Sequence, residues 1–253
     1  MGTSRCNQST PKSSLNPINI MFSSLSSSSS LIPIFLSLIS TIHSHEAPVD
    51  GFFKREHSLV KPYSPAGMNI PFFDLTGDTM VTNNFVRLTP DDKSRVGGIW
   101  NKVPMNQRAW EVHFTYKVHG HSRNLAADGM ALWYVKEPKQ IGSVFGGGSA
   151  DKFTGLGIFI DTYKNGGGTG AFPQVSGMVN DGTVDYNHDD DGNTQNLGSC
   201  YAMVRNREHD THMSIKYKKQ ILTVSVDVDG QGNWRQCFVK TGLVLPCGYY
   251  VTG

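Results

Sequence analysis

The stretch that begins at Ala109 alternates without a break. Trp110, Val112, Phe114, Tyr116 and Val118 fall on one side, and Glu111, His113, Thr115, Lys117 and His119 fall on the other. A period of two is the mark of a strand with one face in the core and one in water. The pattern returns from Gln220 to Val228, where Leu222, Val224, Val226 and Val228 oppose Thr223, Ser225 and Asp227. It returns again from Thr211 to Tyr217, which groups Met213, Ile215 and Tyr217. Glycine-rich breaks such as Gly146-Gly147-Gly148, Gly166-Gly167-Gly168 and Asp229-Gly230-Gln231-Gly232 divide the chain, and no helical period of useful length occurs. Short half-buried strands separated by turns predict an all-β fold, a sandwich of two sheets.

The chain has 253 residues, 27 of them glycine, and a net charge of +2. That is length for one domain with some to spare. The basic residues are dispersed, so no nucleic-acid surface is implied. Residues 1–48 are rich in serine and carry the apolar run Leu31–Ser40. This run is too short and interrupted to span a bilayer. It reads as the apolar segment of a secretory signal, with Met21 as an alternative start and cleavage near Ser44; a disordered serine-rich tail is the competing reading. The expected division is therefore a leader over 1–48 and one domain over 49–253. Entry to an oxidising compartment makes disulfides possible. Cys6 would leave with the leader, which makes Cys200, Cys237 and Cys247 an odd set.

The chemistry gathers at strand ends. Gly157-Ile158-Phe159-Ile160-Asp161-Thr162-Tyr163-Lys164-Asn165 is an apolar strand that stops in an acid, an aromatic and an amide at alternate positions. Asp161 and Asn165 are hard oxygen donors, and the Tyr163 carbonyl supplies a third, which is the ligand chemistry of Ca²⁺. Ala127-Asp128-Gly129 precedes one strand, and Tyr186-Asn187-His188-Asp189-Asp190-Asp191-Gly192 is a second oxygen-rich loop. Taken singly, each piece reads as an Asx turn or a solvated loop. Their occurrence together, in one order, points to a calcium-dependent carbohydrate site.

From about Glu56 onward the chain resembles the L-type (legume-like) lectins of the animal secretory pathway, and within them the vesicular integral-membrane mannose lectins. The matching segments include Ser58-Leu59-Val60-Lys61-Pro62-Tyr63, Phe85-Val86-Arg87-Leu88-Thr89-Pro90-Asp91 and Gly98-Ile99-Trp100-Asn101. Asp128-Gly129-Met130-Ala131-Leu132-Trp133-Tyr134, Val144-Phe145-Gly146, Arg205-Asn206-Arg207-Glu208-His209-Asp210-Thr211 and Leu245-Pro246-Cys247-Gly248-Tyr249-Tyr250 continue the match. The resemblance implies a concanavalin-like jelly-roll sandwich that binds high-mannose N-glycans on glycoprotein cargo of the ER–Golgi route, and not an enzyme. It implies Ca²⁺ on Asp161, the Tyr163 carbonyl, Asn165 and Asp191. The sugar would meet Asp128, Asn165, His188 and Tyr163, with the Asn165 amide donating to sugar while its oxygen faces the metal. A cis Ala127–Asp128 peptide bond and a Cys200–Cys237 disulfide are also implied. Cys247 is then spare, a small apolar residue.

Departures from the family pattern follow. Phe159 stands where plant lectins carry a second metal's Glu, so a second metal there is disfavoured. Gly98 replaces a serine that elsewhere offers its hydroxyl to the sugar. After Gly253 the family continues with a loop that closes the sugar site, a last strand, a stalk and a membrane anchor; the expectation is a domain truncated at its C-terminus, with membrane attachment only through that missing part. Two other classes were weighed. A lectin-fold relative with impaired sugar binding would act through protein contacts. A glycoside hydrolase needs two positioned carboxyls, and no Glu-x-Asp-x-x-Glu spacing occurs. Asp227-Val228-Asp229-Gly230-Gln231-Gly232 opens like an EF-hand loop but has Phe238 at the twelfth position, where a bidentate Glu belongs.

Overall fold

The computed structural model describes residues 17–21, 53–63, 69–121, 127–140, 142–143, 145, 152–167 and 170–252. Their strands are β1 (Pro17–Met21), β2 (Phe73–Gly77), β3 (Met80–Val81), β4 (Val86–Arg87), β5 (Gly97–Asn101), β6 (Trp110–Tyr116) and β7 (Gly129–Val135). Then come β8 (Thr154–Asp161), β9 (Gln174–Asp181), β10 (Gly198–Tyr201), β11 (Thr211–Lys218), β12 (Ile221–Asp227), β13 (Arg235–Lys240) and β14 (Tyr250–Thr252). The three alternating stretches of the sequence become β6, β11 and β12, which are neighbours in a five-stranded sheet ordered β1-β6-β11-β12-β13. Facing it is a seven-stranded sheet ordered β10-β9-β8-β7-β14-β5-β2, and β3 and β4 form a separate pair.

The space between the sheets is filled as the period of two requires. Trp110, Val112, Phe114, Met213, Ile215, Leu222 and Val224 come from one sheet and Leu132, Tyr134, Leu156, Ile158 and Ile160 from the other, all buried. Each such side chain contributes about 1.5–3 kcal/mol by leaving water. The opposite face of the seven-stranded sheet carries a second, smaller core of Trp100, Ala131, Trp133, Val135, Phe153, Phe159, Met178 and Tyr186. Strands β7 and β8 are thus covered on both faces, which is why they read as continuous apolar runs rather than alternations.

Four features differ from the sequence expectation or extend it. Residues 1–48 were set apart as a leader, yet Pro17–Met21 lies parallel to β6 along its full length, with Pro17 opposite Glu111 and Met21 opposite Thr115; the run Leu31–Ser40 is outside the described residues. Strand β14 sits inside its sheet, between β7 and β5. Cys200 and Cys237 are joined in a disulfide, which ties β10 of one sheet to β13 of the other. Cys247, expected to be spare, is itself disulfide-bonded. Its environment is half-buried rather than core, so its bonding, not its packing, defines its place.

Candidate functional site

Strand β8 ends against the second core, and that end builds the site. Because Leu156, Ile158 and Ile160 face the main core, Phe159 and Asp161 must point to the other face. Asp161 is 4% exposed. Its Oδ1 accepts the Tyr163 N–H at 2.9 Å, an Asx turn that bends the chain out of the strand. The turn brings Asn165 to Asp191. The Asn165 backbone N–H lies 3.2 Å from both Asp191 carboxylate oxygens, and its side-chain Nδ2 donates to Oδ1 at 2.6 Å. Asp191 is 2% exposed and left-handed, with φ of 56°.

Two loops are locked together here. The Gly167 N–H donates to the Asp189 carbonyl at 2.8 Å. A side chain at Gly167 would place its Cβ 2.5 Å from that same oxygen, so the approach needs glycine. Across the strand, the Thr162 N–H and hydroxyl both donate to the Asp128 carbonyl, at 3.0 and 3.2 Å. The Ala127–Asp128 peptide bond is cis. Asp128 itself is exposed at the rim.

The result is a cleft of about 110 Å³ lined by Asp128, Ser143, Phe145, Asp161, Tyr163, Asn165, Tyr186 and His188. Five of the residues named from sequence therefore share one cleft, and Asp191 stands directly behind Asn165. Aromatic packing shapes the floor. Phe145 stacks on Phe159 with centroids 5.2 Å apart. Tyr186 meets Phe159 edge-on at 5.5 Å and His188 at 5.0 Å. His188 opens the 3-10 turn His188–Asp190, so its ring is presented to the cleft by that turn and braced by Tyr186.

The electrostatics are unusual. Burial, with Asp191 and Asp128 adding like charge, pushes the Asp161 carboxyl from its ordinary 3.8 up to about 7. Opposite Asp161 in the β8–β9 register lies Gln174, 5% exposed, whose Oε1 has no hydrogen-bond partner. Two buried carboxylates at one strand end, with a partnerless amide oxygen on the neighbouring strand, are an arrangement that a cation relieves. Among the described residues no three His, Cys, Asp or Glu side chains form a metal cage by themselves; here the carboxylates are two, and amide and carbonyl oxygens must complete the set. That is calcium's ligand chemistry, which tolerates neutral oxygens.

The Asn165 amide presents its nitrogen to Asp191. Gly98 lies in β5 opposite Thr76, and Ser143 lines the cleft. Ser143, Phe145, Tyr186 and Gln174 were not picked out as site residues. Only the glycine-rich run around Ser143 and Phe145, just after β7, hinted that the chain passes close to something.

A profile of the legume-like lectin family matches residues 50–253. The chain is 45% identical over 203 residues to the human VIP36-like protein, covering 79% of this chain and 58% of that protein. It is 46% identical over 200 residues to human vesicular integral-membrane protein VIP36, covering 78% and 56%. The chain thus spans a little more than half the length of these relatives. The crystal structure of the VIP36 exoplasmic/lumenal domain in its Ca²⁺/Man-bound form superposes with a TM-score of 0.74 at 44% identity, covering 79% of this chain and 82% of that one.

Proposed function

The chain belongs to the legume-like lectin family, and from that footing we propose that its cleft binds mannose-rich glycans of glycoproteins with the help of one calcium ion. The observation that carries the reading is the pair of buried carboxylates, Asp161 and Asp191, with no lysine or arginine in the cleft lining. Asp161, Asp191, the Asn165 amide oxygen and the Tyr163 carbonyl would hold the ion. The ion neutralises the two acids and fixes the two loops. Since Nδ2 of Asn165 now donates to Asp191, holding an ion with its oxygen entails a half-turn of the amide. That turn releases Nδ2 toward the cleft as a donor.

The residues facing the cleft then suit a hexose. Asp128 accepts hydrogen bonds from two vicinal hydroxyls, and Asn165 donates one. His188 contributes a ring nitrogen whose position Tyr186 fixes. Tyr163, 37% exposed, offers a ring to the sugar's C–H face. This is binding chemistry: nothing in the arrangement places an acid and a nucleophile across a glycosidic bond. The relative solved with Ca²⁺ and mannose supports the ligand class.

We infer the lumen of the ER–Golgi pathway as the setting, since the two disulfides involving Cys200, Cys237 and Cys247 suit an oxidising compartment. Residues 1–48 are read as the leader that directs entry, with the parent protein anchored by a single span. No helix among the described residues is long and apolar enough to cross a membrane. Calorimetry of the full chain against a high-mannose oligosaccharide, with calcium and with chelator, tests the reading. Heat of binding in calcium that vanishes on chelation is expected; equal affinity in both would overturn it.

A further inference from the structure

Three of the four tryptophans, Trp100, Trp110 and Trp133, are each 1% exposed, but Trp234 is 44% exposed. It stands one residue before β13, at the edge of the five-stranded sheet, and its ring reaches inward over the sheet's outer face. The indole centroid lies 5.8 Å from the ring of His113 at an angle of 75°, and 6.4 Å from that of His212 at 40°. The register explains how this is possible. His113 on β6 faces Ser214 on β11, which faces Ser225 on β12. Two short side chains in the middle of that row leave headroom for a ring lying above them.

A polar rim surrounds the indole. Glu111 Oε1 accepts the Ser214 hydroxyl at 3.0 Å and lies 2.6 Å from His113 Nε2, while Lys216 Nζ approaches Oε2 at 3.5 Å. On the other side His212 Nδ1 is 4.0 Å from Asp227 Oδ2. Asp227 is 1% exposed, and its Oδ1 has no hydrogen-bond partner.

We infer that this outer face is a second saccharide site, in which Trp234 stacks on the C–H face of a neutral pyranose ring while the Glu111–His113 pair and His212, held from behind by the buried Asp227, meet its hydroxyls. An exposed indole plane supplies apolar area with little conformational freedom to lose. Each sugar hydroxyl both donates and accepts, so it needs acceptors and donors side by side. The rim has both: the Glu111 carboxylate, and two imidazoles with Lys216. An anion would face Glu111 and Asp227, and a cation would face Lys216; a neutral polyol opposes neither. The site needs no metal, and the whole main core separates it from the cleft at the end of β8, so the two share no residue.

Because Trp234 is the one exposed tryptophan of the four, the acrylamide-quenchable part of the indole emission reports on it. The full chain carrying Asn165→Ala, in chelator, would be titrated with methyl α-mannoside, methyl β-glucoside and chitobiose. At least one is expected to shift the emission saturably and to protect it from acrylamide quenching. Saturation-transfer NMR on the same sugars follows binding when the indole is removed. Trp234→Ala is expected to abolish the transfer signal with an unchanged melting profile, and Trp234→Phe to keep part of it. The inference is overturned if no sugar shifts the emission, as it would be were the patch a protein-docking surface. It is equally overturned if the transfer signal survives Trp234→Ala. Loss of the calcium site by Asn165→Ala or by chelator leaves these outcomes unaffected, so failure here is distinct from failure of the first reading.

Discussion

Asp161 and Asp227 invite comparison. Each is the last residue of its strand, β8 or β12, each is nearly inaccessible, at 4% and 1% exposure, and each is followed by an oxygen-rich loop. What surrounds them differs. Asp161 faces Asp191 and Asp128, and burial drives its carboxyl up to about 7. Asp227 accepts the Gly232 N–H at 2.7 Å, has His212 at 4.0 Å, and is followed by Asp229, which is paired with Arg207. A buried acid calls for a cation when its neighbours are also acids; when the chain supplies donors and bases, the same residue type is only a turn.

The largest expected difference between the two is in ligand binding. Asp161→Ala should reduce glycan affinity in calcium by more than about a hundredfold, since both the ion and the loop position of Asn165 depend on it. It should also erase the rise in melting temperature that calcium gives, because ligand-linked stability disappears with the ligand. Asp227→Ala should leave glycan affinity in calcium unchanged. Titration calorimetry and thermal melts of both variants decide the matter; a calcium response lost in the Asp227 variant instead would reverse the comparison.

The pH dependence should set Asp161 apart from Glu111. A carboxyl whose folded pKa exceeds its unfolded value holds its proton more tightly when folded. In chelator, therefore, stability is lost as pH rises from near 4 to near 7. For Asp161, the step from 3.8 to about 7 amounts to about 4 kcal/mol at roughly 1.4 kcal/mol per tenfold. Glu111 runs the other way. Although burial opposes it, His113, Ser214 and Lys216 hold its pKa below the ordinary value, so its contribution is present above the unfolded pKa and fades as pH falls through the folded one. Chemical denaturation across this range in chelator, with and without Asp161→Asn, should show the dependence flattened by the substitution. An unchanged slope would mean that Asp161 is not the titrating group.

Much of this was legible in the chain. The sheet that carries Trp110, Ile215 and Val224 announced itself because one of its faces is wet and the period of two survives. Asp161, Asn165 and His188 were legible as oxygen- and nitrogen-rich strand ends, and the resemblance to a lectin family joined them to Asp128. Ser143, Phe145 and Tyr186 were not, because what makes them part of the cleft is their meeting with Phe159 and Asp161, which lie 14 to 27 residues away in the chain, and neither serine nor an aromatic declares its partner in sequence. Trp234 escaped for the same reason: its neighbours His113 and His212 lie on other strands.

A smaller effect separates Asp227 from a mere surface acid. Asp227→Asn keeps the shape and can still accept the Gly232 N–H through its amide oxygen, but it loses the charge near His212. A cost of about 1.5–3 kcal/mol is expected, the range for a hydrogen bond to a charged group, and the cost should be the same in calcium and in chelator. Denaturant melts under both conditions measure it. A calcium-dependent cost would show that the β12–β13 loop binds the ion after all.

The smallest expected effect tests the comparison at its weakest point, the likeness of Asp227-Val228-Asp229-Gly230 to a cation loop. In such a loop the second acid would be a ligand, and its removal would abolish binding. Here Asp229 and Arg207 are 46% and 37% exposed in their side chains. Half-exposed pairs contribute about 0–1 kcal/mol, because solvent screens the attraction and both chains lose freedom. Asp229→Asn should therefore change stability by less than about 0.5 kcal/mol, and less still at high salt, where screening has already weakened the pair. The calcium-induced rise in melting temperature should match that of the unaltered chain. If that rise shrank in Asp229→Asn while Asp161→Ala kept it, the cation would belong to the second loop, and the acids gathered around Asp161 would have to be relieved by a proton instead.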